Sequence, residues 1–215
     1  MAGTRFSDVR WFAEVDSTNR VAADLARQGA PDGLVIGAHH QTKGRGRRGR
    51  RWESRPGSAL LVSVVLRPVP PLVTLAAGVA AAEACERVAG ATVGLKWPND
   101  VLAEDGRKVG GVLSELVGDA VVVGLGLNLG WAPAGAACLG PAVDRDALLT
   151  TFLAGLDDPG DVPARYRARC LTLGRRVRVH LPDGWVEGVA EDVDAAGRLL
   201  VDGRPITAGD VVHVR

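Results

Sequence analysis

The sequence predicts an α+β fold, in which a mixed β-sheet is flanked by helices and followed by a small antiparallel barrel. Two observations carry this prediction. Apolar strand-like runs are interspersed with helical patterns through most of the chain. From about residue 172, short alternating strands are separated by regular turns such as "PDG" and "AAG". We therefore predict a larger domain over residues 1–170 and a barrel over residues 171–215.

Local signals predict the elements of the larger domain in order. The first helix has Ser17 or Thr18 as a natural N-cap and Gly29 as a C-terminal stop. Because a strand rather than a recognition helix follows it, a helix-turn-helix is not expected. Helices are predicted at 16–30, 72–90, 144–158 and 163–174, and strands at 34–42, 58–68, 92–100 and 107–131, the last divided by a hairpin turn at Gly118–Asp119.

Composition excludes several classes of protein. Hydrophobic residues make up 47% of 215 residues, which is enough for a substantial core, while a net charge of +1 is too low for broad nucleic-acid binding. Three widely spaced cysteines without a CxxC motif argue against a disulfide framework or a zinc site. No apolar run is long enough to span a membrane, and the N-terminus lacks a signal peptide. We expect a soluble cytoplasmic protein.

The stretch "QTKGRGRRGRRW", residues 41–52, concentrates positive charge on a glycine-rich loop. Its arginines offer guanidinium forks suited to phosphates, and its glycines allow the loop to move when it is empty. Trp52 could stack on a flat heterocycle. A solvated basic loop or a nucleic-acid tether is the alternative interpretation.

The stretch "KWPNDVLAEDGRKVGG", residues 96–111, combines a cation, an amide and a carboxylate at a turn. Lys96 ends a strand just before Pro98, so its side chain can line a pocket. With Asn99 and Asp100 it would suit a phosphate-and-magnesium ligand, although a plain surface turn would have the same residue types. Two of the chain's three lysines, Lys96 and Lys108, fall in this short stretch.

The stretch "VVVGLGLNLGW", residues 121–131, contains glycines but lacks a dinucleotide-binding fingerprint. Its spacing is GxGxxxG and no helix follows it, whereas the Rossmann mechanism needs a glycine turn at a helix N-terminus. We interpret it as a strand with Asn128 on one face and glycines where a ligand lies flat. The sequence has no P-loop and no evident Ser-His-Asp arrangement.

Four segments together resemble one family, the biotin protein ligases: "DSTN", "QTKGRGRRGRRW", "KWPNDVLAEDGRKVGGVLSE" and "VGLGLNLG". The resemblance implies a catalytic domain like those of biotin ligases and class II aminoacyl-tRNA synthetases, with an SH3-like C-terminal barrel. It implies that biotin attacks the α-phosphate of MgATP to give biotinyl-5′-AMP. A lysine of a biotin carboxyl carrier domain then takes the biotinyl group. No protein nucleophile is needed.

The resemblance also assigns roles to individual positions. The residues implied to be catalytic are Lys96, Arg45 and Arg47, with Lys96 reaching the biotin carboxylate and the α-phosphate. Biotin contacts are implied for Ser17, Thr18, Asn19, Gln41, Arg45, Gly46, Arg47, Lys96 and Gly111. Contacts to ATP or the adenylate are implied for Arg47, Trp52, Asn99, Lys108 and Asn128. Asp100 is the expected magnesium ligand, directly or through water.

The resemblance implies a specific set of ligands and partners. They are ATP with Mg²⁺, biotin and a carrier domain, with no tightly bound prosthetic group, no DNA and no membrane. Longer members carry an N-terminal DNA-binding domain, for which residues 1–15 leave no room, so we expect no repressor activity. The alternatives are a lipoate or octanoate ligase of the same superfamily and a nucleic-acid-binding protein that uses loop 43–51. The resemblance does not explain Lys43.

Overall fold

The computed structural model describes residues 4–182 and 184–214. Within them, one sheet is built from β1 Val9–Phe12, β2 Val35–Ala38, β3 Ala59–Leu66, β4 Val93–Lys96, β5 Asp100–Ala103, β6 Lys108–Val117 and β7 Ala120–Asn128. The strand order is β1-β2-β3-β7-β6-β5-β4. β1 and β2 are parallel and the other neighbours are antiparallel, so the predicted mixed sheet is confirmed.

Helices cover both faces of this sheet. They are α1 Thr18–Arg27, α2 Val73–Ala89, α3 Arg145–Asp157 and α4 Val162–Arg167. Ala22 of α1 belongs to the same apolar cluster as Val65 of β3, whereas α2 belongs with Val64. Because successive side chains of a strand point to opposite faces, α1 and α2 lie on opposite sides. Because helices cover both faces of the sheet, every residue of β3 is buried.

The predicted elements are largely confirmed, and the differences have local causes. The strand predicted at 92–100 is two strands, because the chain reverses after Lys96, which pairs with Asp100 across the turn. β1 was not predicted. Ser17 is at the N-cap position of α1, but its side chain makes no capping hydrogen bond. The helix predicted at 163–174 ends early, because residues 169–171 hydrogen bond to Leu95 in β4.

The C-terminal residues form a second sheet, as the sequence predicts. Its strands are β8 Arg176–Leu181, β9 Gly184–Val193, β10 Leu199–Val201, β11 Arg204–Ile206 and β12 Asp210–His213, in the order β11-β10-β9-β8-β12. In the described residues β11 and β12 are the two edges, so this SH3-like sheet is not closed into the barrel that was expected. The three-residue β10 and β11 can form only short ladders. We keep the division of the chain near residue 170 as a proposal.

The two sheets are in direct contact beside the turn after β4. Trp97 is 2% exposed. Its indole N–H donates to the carbonyl of Gly197 at 3.0 Å, and its backbone N–H donates to Thr172 Oγ1 at 3.1 Å. The C-terminal sheet therefore supports the turn that carries Lys96 and Asn99. None of the helices in residues 4–182 and 184–214 is long and apolar enough to cross a membrane.

Candidate active site

Three adjoining cavities open between the N-terminus of α1, the basic loop 41–52 and strands β6 and β7. The inner cavity, of about 30 Å³, is lined by Ser17, Thr18, Asn19, Gln41 and Gly111. The central cavity, of about 100 Å³, is lined by Arg45, Gly46, Arg47, Asn99 and Lys108. The outer cavity, of about 170 Å³, is lined by Arg51, Trp52, Lys108 and Asn128. Shared residues make them continuous, since Arg45 lines the first two and Lys108 the last two.

A buried polar network forms the wall of the inner cavity. Gln41 Oε1 accepts from the backbone N–H of Thr18 at 2.7 Å and from its hydroxyl at 3.1 Å. The Ser63 hydroxyl lies 2.8 Å from Thr18 Oγ1 and 2.6 Å from Asn19 Oδ1. Asn19 Nδ2 donates to Glu115 Oε2 at 2.8 Å. These bonds fix the polar groups in one arrangement, which suits recognition of a polar ligand.

Glycines in β7 make room for two of these side chains. A methyl group at position 124 would lie 2.9 Å from Asn19 Cγ and closer still to its Oδ1. One at position 126 would lie 2.8 Å from the Trp52 ring. The glycines were predicted to lie against a flat ligand. In this structure it is the indole of Trp52 that lies against Gly126.

The basic loop covers the inner and central cavities and is held by internal carboxylates. Arg45 pairs with Glu115 at 3.0 Å. Asp210, at the start of β12, is 2.5 Å from Arg50, 3.6 Å from Arg48 and 3.9 Å from Arg47. Within the part of the chain that the structure describes, four of the loop's six cations have carboxylate partners, so the loop is not a free basic surface for nucleic acid.

Two of the cations that line the central cavity, Arg47 and Lys108, are held by neighbouring side chains. Arg47 donates to Asn99 Oδ1 at 3.1 Å, and burial lowers the pKa of its guanidinium, with Asp210 opposing the shift. Lys108 Nζ is 2.6 Å from Asp100 Oδ1. Burial makes the charged form of a cation less favourable, and an anion that binds beside the cation offsets this cost. The central cavity is therefore arranged to accept an anionic ligand.

Two buried polar atoms beside the outer cavity have no hydrogen-bond partner among residues 4–182 and 184–214. Asn128 Nδ2 donates to the carbonyl of Ala137 at 3.0 Å, but no donor in these residues reaches its Oδ1. The other such atom is Trp52 Nε1. An unpaired buried acceptor costs about 1–3 kcal/mol, so a ligand N–H that reaches Asn128 would recover that energy.

The structure brings together the predicted site residues with one exception. Ser17, Thr18, Asn19, Gln41, Arg45, Gly46, Arg47, Trp52, Asn99, Asp100, Lys108, Gly111 and Asn128 all line the three cavities. Lys96 instead lines a further cavity of about 300 Å³ between the turn after β4 and the C-terminal sheet, which shares Arg50, Asn99 and Asp100 with the central cavity. Lys108, which the sequence assigned only to ATP, is the lysine that lines the central cavity.

Three functional candidates were missed by sequence reasoning. Ser63 is fully buried in the apolar strand β3, where a lone hydroxyl was the available signal. Glu115 and Asp210 gave no local signal. Their partners Arg45 and Arg50 are far away in the sequence and meet them only in the folded chain.

The match of fold and site to known proteins is extensive. Residues 11–129 match the model of the Biotin/lipoate A/B protein ligase family, and residues 172–214 match the Biotin protein ligase C terminal domain. Because the first match covers more than half of the chain, the chain belongs to the Biotin/lipoate A/B protein ligase family.

Individual relatives narrow the comparison within this family. The biotin–[acetyl-CoA-carboxylase] ligase of Mycobacterium tuberculosis is 40% identical, over all of this chain and 92% of the relative. The bifunctional ligase/repressor BirA of Escherichia coli is 30% identical, over 87% of this chain and 67% of its own length. The structure of the biotin protein ligase from Aquifex aeolicus in complex with biotin and ATP has a TM-score of 0.84 at 28% identity, covering 98% of this chain and 100% of that one.

Proposed function

We propose that the chain is an ATP-dependent biotin–protein ligase. It would activate biotin as biotinyl-5′-AMP and then transfer the biotinyl group to one lysine of a biotin carboxyl carrier domain. The observation that carries this proposal is the continuity of a polar inner cavity, a cationic central cavity and an outer cavity with unpaired polar atoms. The similarity to ligases of this activity over the whole chain supports it.

The inner cavity is the proposed site for the biotin ring system. Ser17, Thr18, Asn19 and Gln41 offer donors and acceptors to its polar head, and Gly111 leaves space beside it. At about 30 Å³ the cavity holds little more than water. Biotin therefore requires the basic loop and the Trp52 ring to move outward, and closing again would shield the reacting groups from water.

The central cavity is the proposed site of the first reaction. A biotin carboxylate oxygen attacks the α-phosphorus, the bond from that phosphorus to the β-bridging oxygen breaks, and pyrophosphate leaves with the electron pair. Both reactants are anionic, so the barrier is lowered mainly by positioning and by cations placed where charge develops. Arg45, Arg47 and Lys108 are proposed for that role, with Gly46 and Asn99 holding the loop and turn beside them.

The outer cavity is the proposed site for the adenosine. Its Trp52 face can stack on a purine, and Asn128 Oδ1 is an unpaired acceptor for an amino group. Lys108 Nζ is 6.0 Å from the centre of the Trp52 ring, so it lies where the base and the α-phosphate would meet. This arrangement supports the proposal that Trp52, Lys108 and Asn128 bind ATP and the adenylate.

Magnesium is proposed to enter with the nucleotide rather than to occupy a site made by the protein. In the described ranges 4–182 and 184–214, no three His, Cys, Asp or Glu side chains cluster as metal ligands. Asp100 is the predicted ligand, but its Oδ1 already accepts from Lys108 at 2.6 Å. The residues present fit a metal held by phosphate oxygens, and Asp100 as a direct ligand would have to give up that ion pair.

The second reaction needs an amine from the partner. The neutral ε-amine of the carrier lysine attacks the carbonyl carbon of biotinyl-5′-AMP and loses one proton to solvent as the amide bond forms, and AMP leaves with the electrons of the broken C–O bond. The chain contributes orientation and shields the anhydride from water. Arg45 and Arg47 on the loop are proposed to hold the adenylate until the carrier arrives.

The experiment that tests this proposal compares two acids of different shape. The chain is incubated with MgATP and either biotin or lipoate, and released pyrophosphate is measured. We expect release with biotin, because the inner cavity is polar where a ureido head would lie. Release with lipoate alone would favour the lipoate-ligase alternative and contradict the proposal.

A further inference from the structure

The carboxylate of Glu115, near the end of β6, is shared by two side chains of the proposed site. Asn19 Nδ2 donates to its Oε2 at 2.8 Å. Arg45 Nη2 lies 3.0 Å from its Oε1, and Arg45 Nη1 donates to its Oε2 at 3.3 Å. Asn19 lines the inner cavity, and Arg45 lines both the inner and the central cavities. One carboxylate therefore joins the proposed site of the biotin ring to the proposed site of the first reaction.

The strand β6 holds this carboxylate on the cavity side of the sheet. Leu113 lines the inner and central cavities, and residues two apart in a strand point to the same face, so Glu115 projects from that face as well. The backbone there is fixed by pairing with β7, where Glu115 lies opposite Val122. With 26% of its side chain exposed, Glu115 is partly shielded from water. It is an anchor on the sheet for groups that lie on the loop and on α1.

Glu115 orients Arg45 without using up its capacity to bind an anion. Arg45 lies between Gly44 and Gly46, and its side chain is about half exposed. A long side chain in such a position samples several rotamers unless a partner holds it. A guanidinium has five N–H donors in a rigid plane, and the fork to Glu115 uses one on each terminal nitrogen. The remaining donors are left for an anion in the central cavity.

Glu115 also determines which way the amide of Asn19 faces. A carboxylate can only accept hydrogen bonds, and so can the carbonyl of Leu113, which receives a second bond from Asn19 Nδ2 at 3.2 Å. Turning the amide over would place its oxygen against both acceptors. Asn19 Oδ1 therefore faces the Ser63 hydroxyl at 2.6 Å. The arrangement of donors and acceptors in the wall of the inner cavity depends on Glu115.

We propose that Glu115 is a positioning residue that couples the two ends of the acid substrate. It holds Asn19 where the ring is recognised and Arg45 where the carboxylate is activated, so a ring seated in the inner cavity directs its carboxylate to an oriented guanidinium. The inference rests on the proposed function. Glu115 acts through its two partners, because it is not among the residues that line the three cavities.

The first test compares two ligands by calorimetry in the absence of ATP: biotin, and biotinol, in which a primary alcohol replaces the carboxylate. Glu115→Gln keeps an acceptor for Asn19 but loses the ion pair with Arg45. Its affinity for biotin should fall by about 3-fold to 10-fold, and its affinity for biotinol should change little. Glu104→Gln, at an exposed position in the turn after β5, is the control for the loss of one negative charge and should match the parent.

Two results of this comparison would overturn the inference. Unchanged or tighter binding of biotin by Glu115→Gln would show that the carboxylate only competes with the ligand for Arg45. Equal losses for biotin and biotinol would show that Glu115 acts on the ring site alone. Circular dichroism and thermal unfolding establish that each variant is folded.

The second test asks whether Glu115 acts through Arg45. The kcat/KM for biotin is measured by pyrophosphate release for Glu115→Gln, Arg45→Met and the double variant. If Glu115 works by orienting Arg45, Glu115→Gln should have little further effect once Arg45 is replaced. Losses that multiply would show two independent roles and contradict the inference. A parent chain that binds biotin but releases no pyrophosphate with MgATP would instead refute the proposed function, since the calorimetric comparison needs no ATP.

Discussion

Replacing Gly124 by alanine tests how the inner cavity is built. The added methyl group would lie 2.9 Å from Asn19 Cγ and nearer still to Oδ1, which is too close for any real side-chain contact. The Asn19 side chain would have to move, since the methyl group is fixed to the backbone of the central strand β7. The substitution therefore displaces Asn19, a proposed biotin-binding residue, while leaving its side chain chemically unchanged.

The cost follows from the bonds that Asn19 makes. Its Nδ2 donates to the Leu113 carbonyl at 3.2 Å and to Glu115 at 2.8 Å, and its Oδ1 is 2.6 Å from the Ser63 hydroxyl. Asn19 is 4% exposed and Ser63 is fully buried, so water cannot easily replace these partners. At about 1 kcal/mol for each bond, with a further penalty for any group left unpaired, we expect a loss of about 2–4 kcal/mol in unfolding free energy.

The assay combines urea unfolding with calorimetric titration of biotin. We expect Gly124→Ala to lower the unfolding midpoint and to weaken biotin binding by at least about 10-fold, since 1.4 kcal/mol corresponds to a factor of ten. Gly78→Ala is the matched control. Its methyl group would meet its nearest neighbour at 3.7 Å, an ordinary contact, and helix propensity favours alanine. If Gly124→Ala matched the control in both assays, the inner cavity would not depend on Asn19.

Three further predictions concern Ser63, Asn128 and His213. Ser63→Ala should weaken biotin binding about 5-fold to 30-fold by calorimetry, because it leaves Asn19 Oδ1 without a donor. Asn128→Ala should raise the KM for ATP and leave biotin affinity unchanged in a pyrophosphate-release assay, because Asn128 lines only the proposed nucleoside site. Burial, followed by repulsion from Lys96 and Arg175, lowers the pKa of His213 from 6.5 to about 4. As pH falls from 6.5 to about 4 the unfolded chain takes up this proton first, so stability is lost, and His213→Gln should flatten that part of the unfolding profile.

Each of these predictions has an opposite outcome that can be recognised. Ser63→Ala with parental biotin affinity would show that the hydroxyl only fills space. An Asn128→Ala variant that lost biotin and ATP binding together would point to a general disturbance of β7. If the stability of His213→Gln fell as steeply as that of the parent between pH 6.5 and about 4, His213 would not be the group whose protonation destabilises the fold.

The sequence predicted the larger elements and most of the site because their signals are local. The glycine-arginine loop, the lysine-bearing turn and the glycines of β7 are each recognisable from a few neighbouring residues, which set the local backbone conformation or the local charge. The direction in which Lys96 and Lys108 point was not predictable in this way. It depends on the reversal between β4 and β5 and on the register of β5 with β6, where a bulge lies between Val101 and Leu102.

The partners of the basic loop were not predictable for a similar reason. Asp210 lies about 160 residues beyond Arg50 and meets it only because the C-terminal sheet packs beside the turn after β4. The sequence showed a concentration of positive charge that was compatible with a phosphate-binding loop, a nucleic-acid tether or a solvated loop. Folding supplies Glu115 and Asp210 as internal counter-ions, which leaves the central cavity for an added anion.

The complete reaction tests most directly whether the chain is a biotin–protein ligase. The chain is incubated with MgATP, biotin and a purified biotin carboxyl carrier domain, and the carrier is analysed by intact-mass and peptide mass spectrometry. We expect a single lysine of the carrier to gain one biotinyl group, and only when ATP is present. A carrier that stays unmodified in the presence of folded chain, ATP and biotin would contradict the central claim.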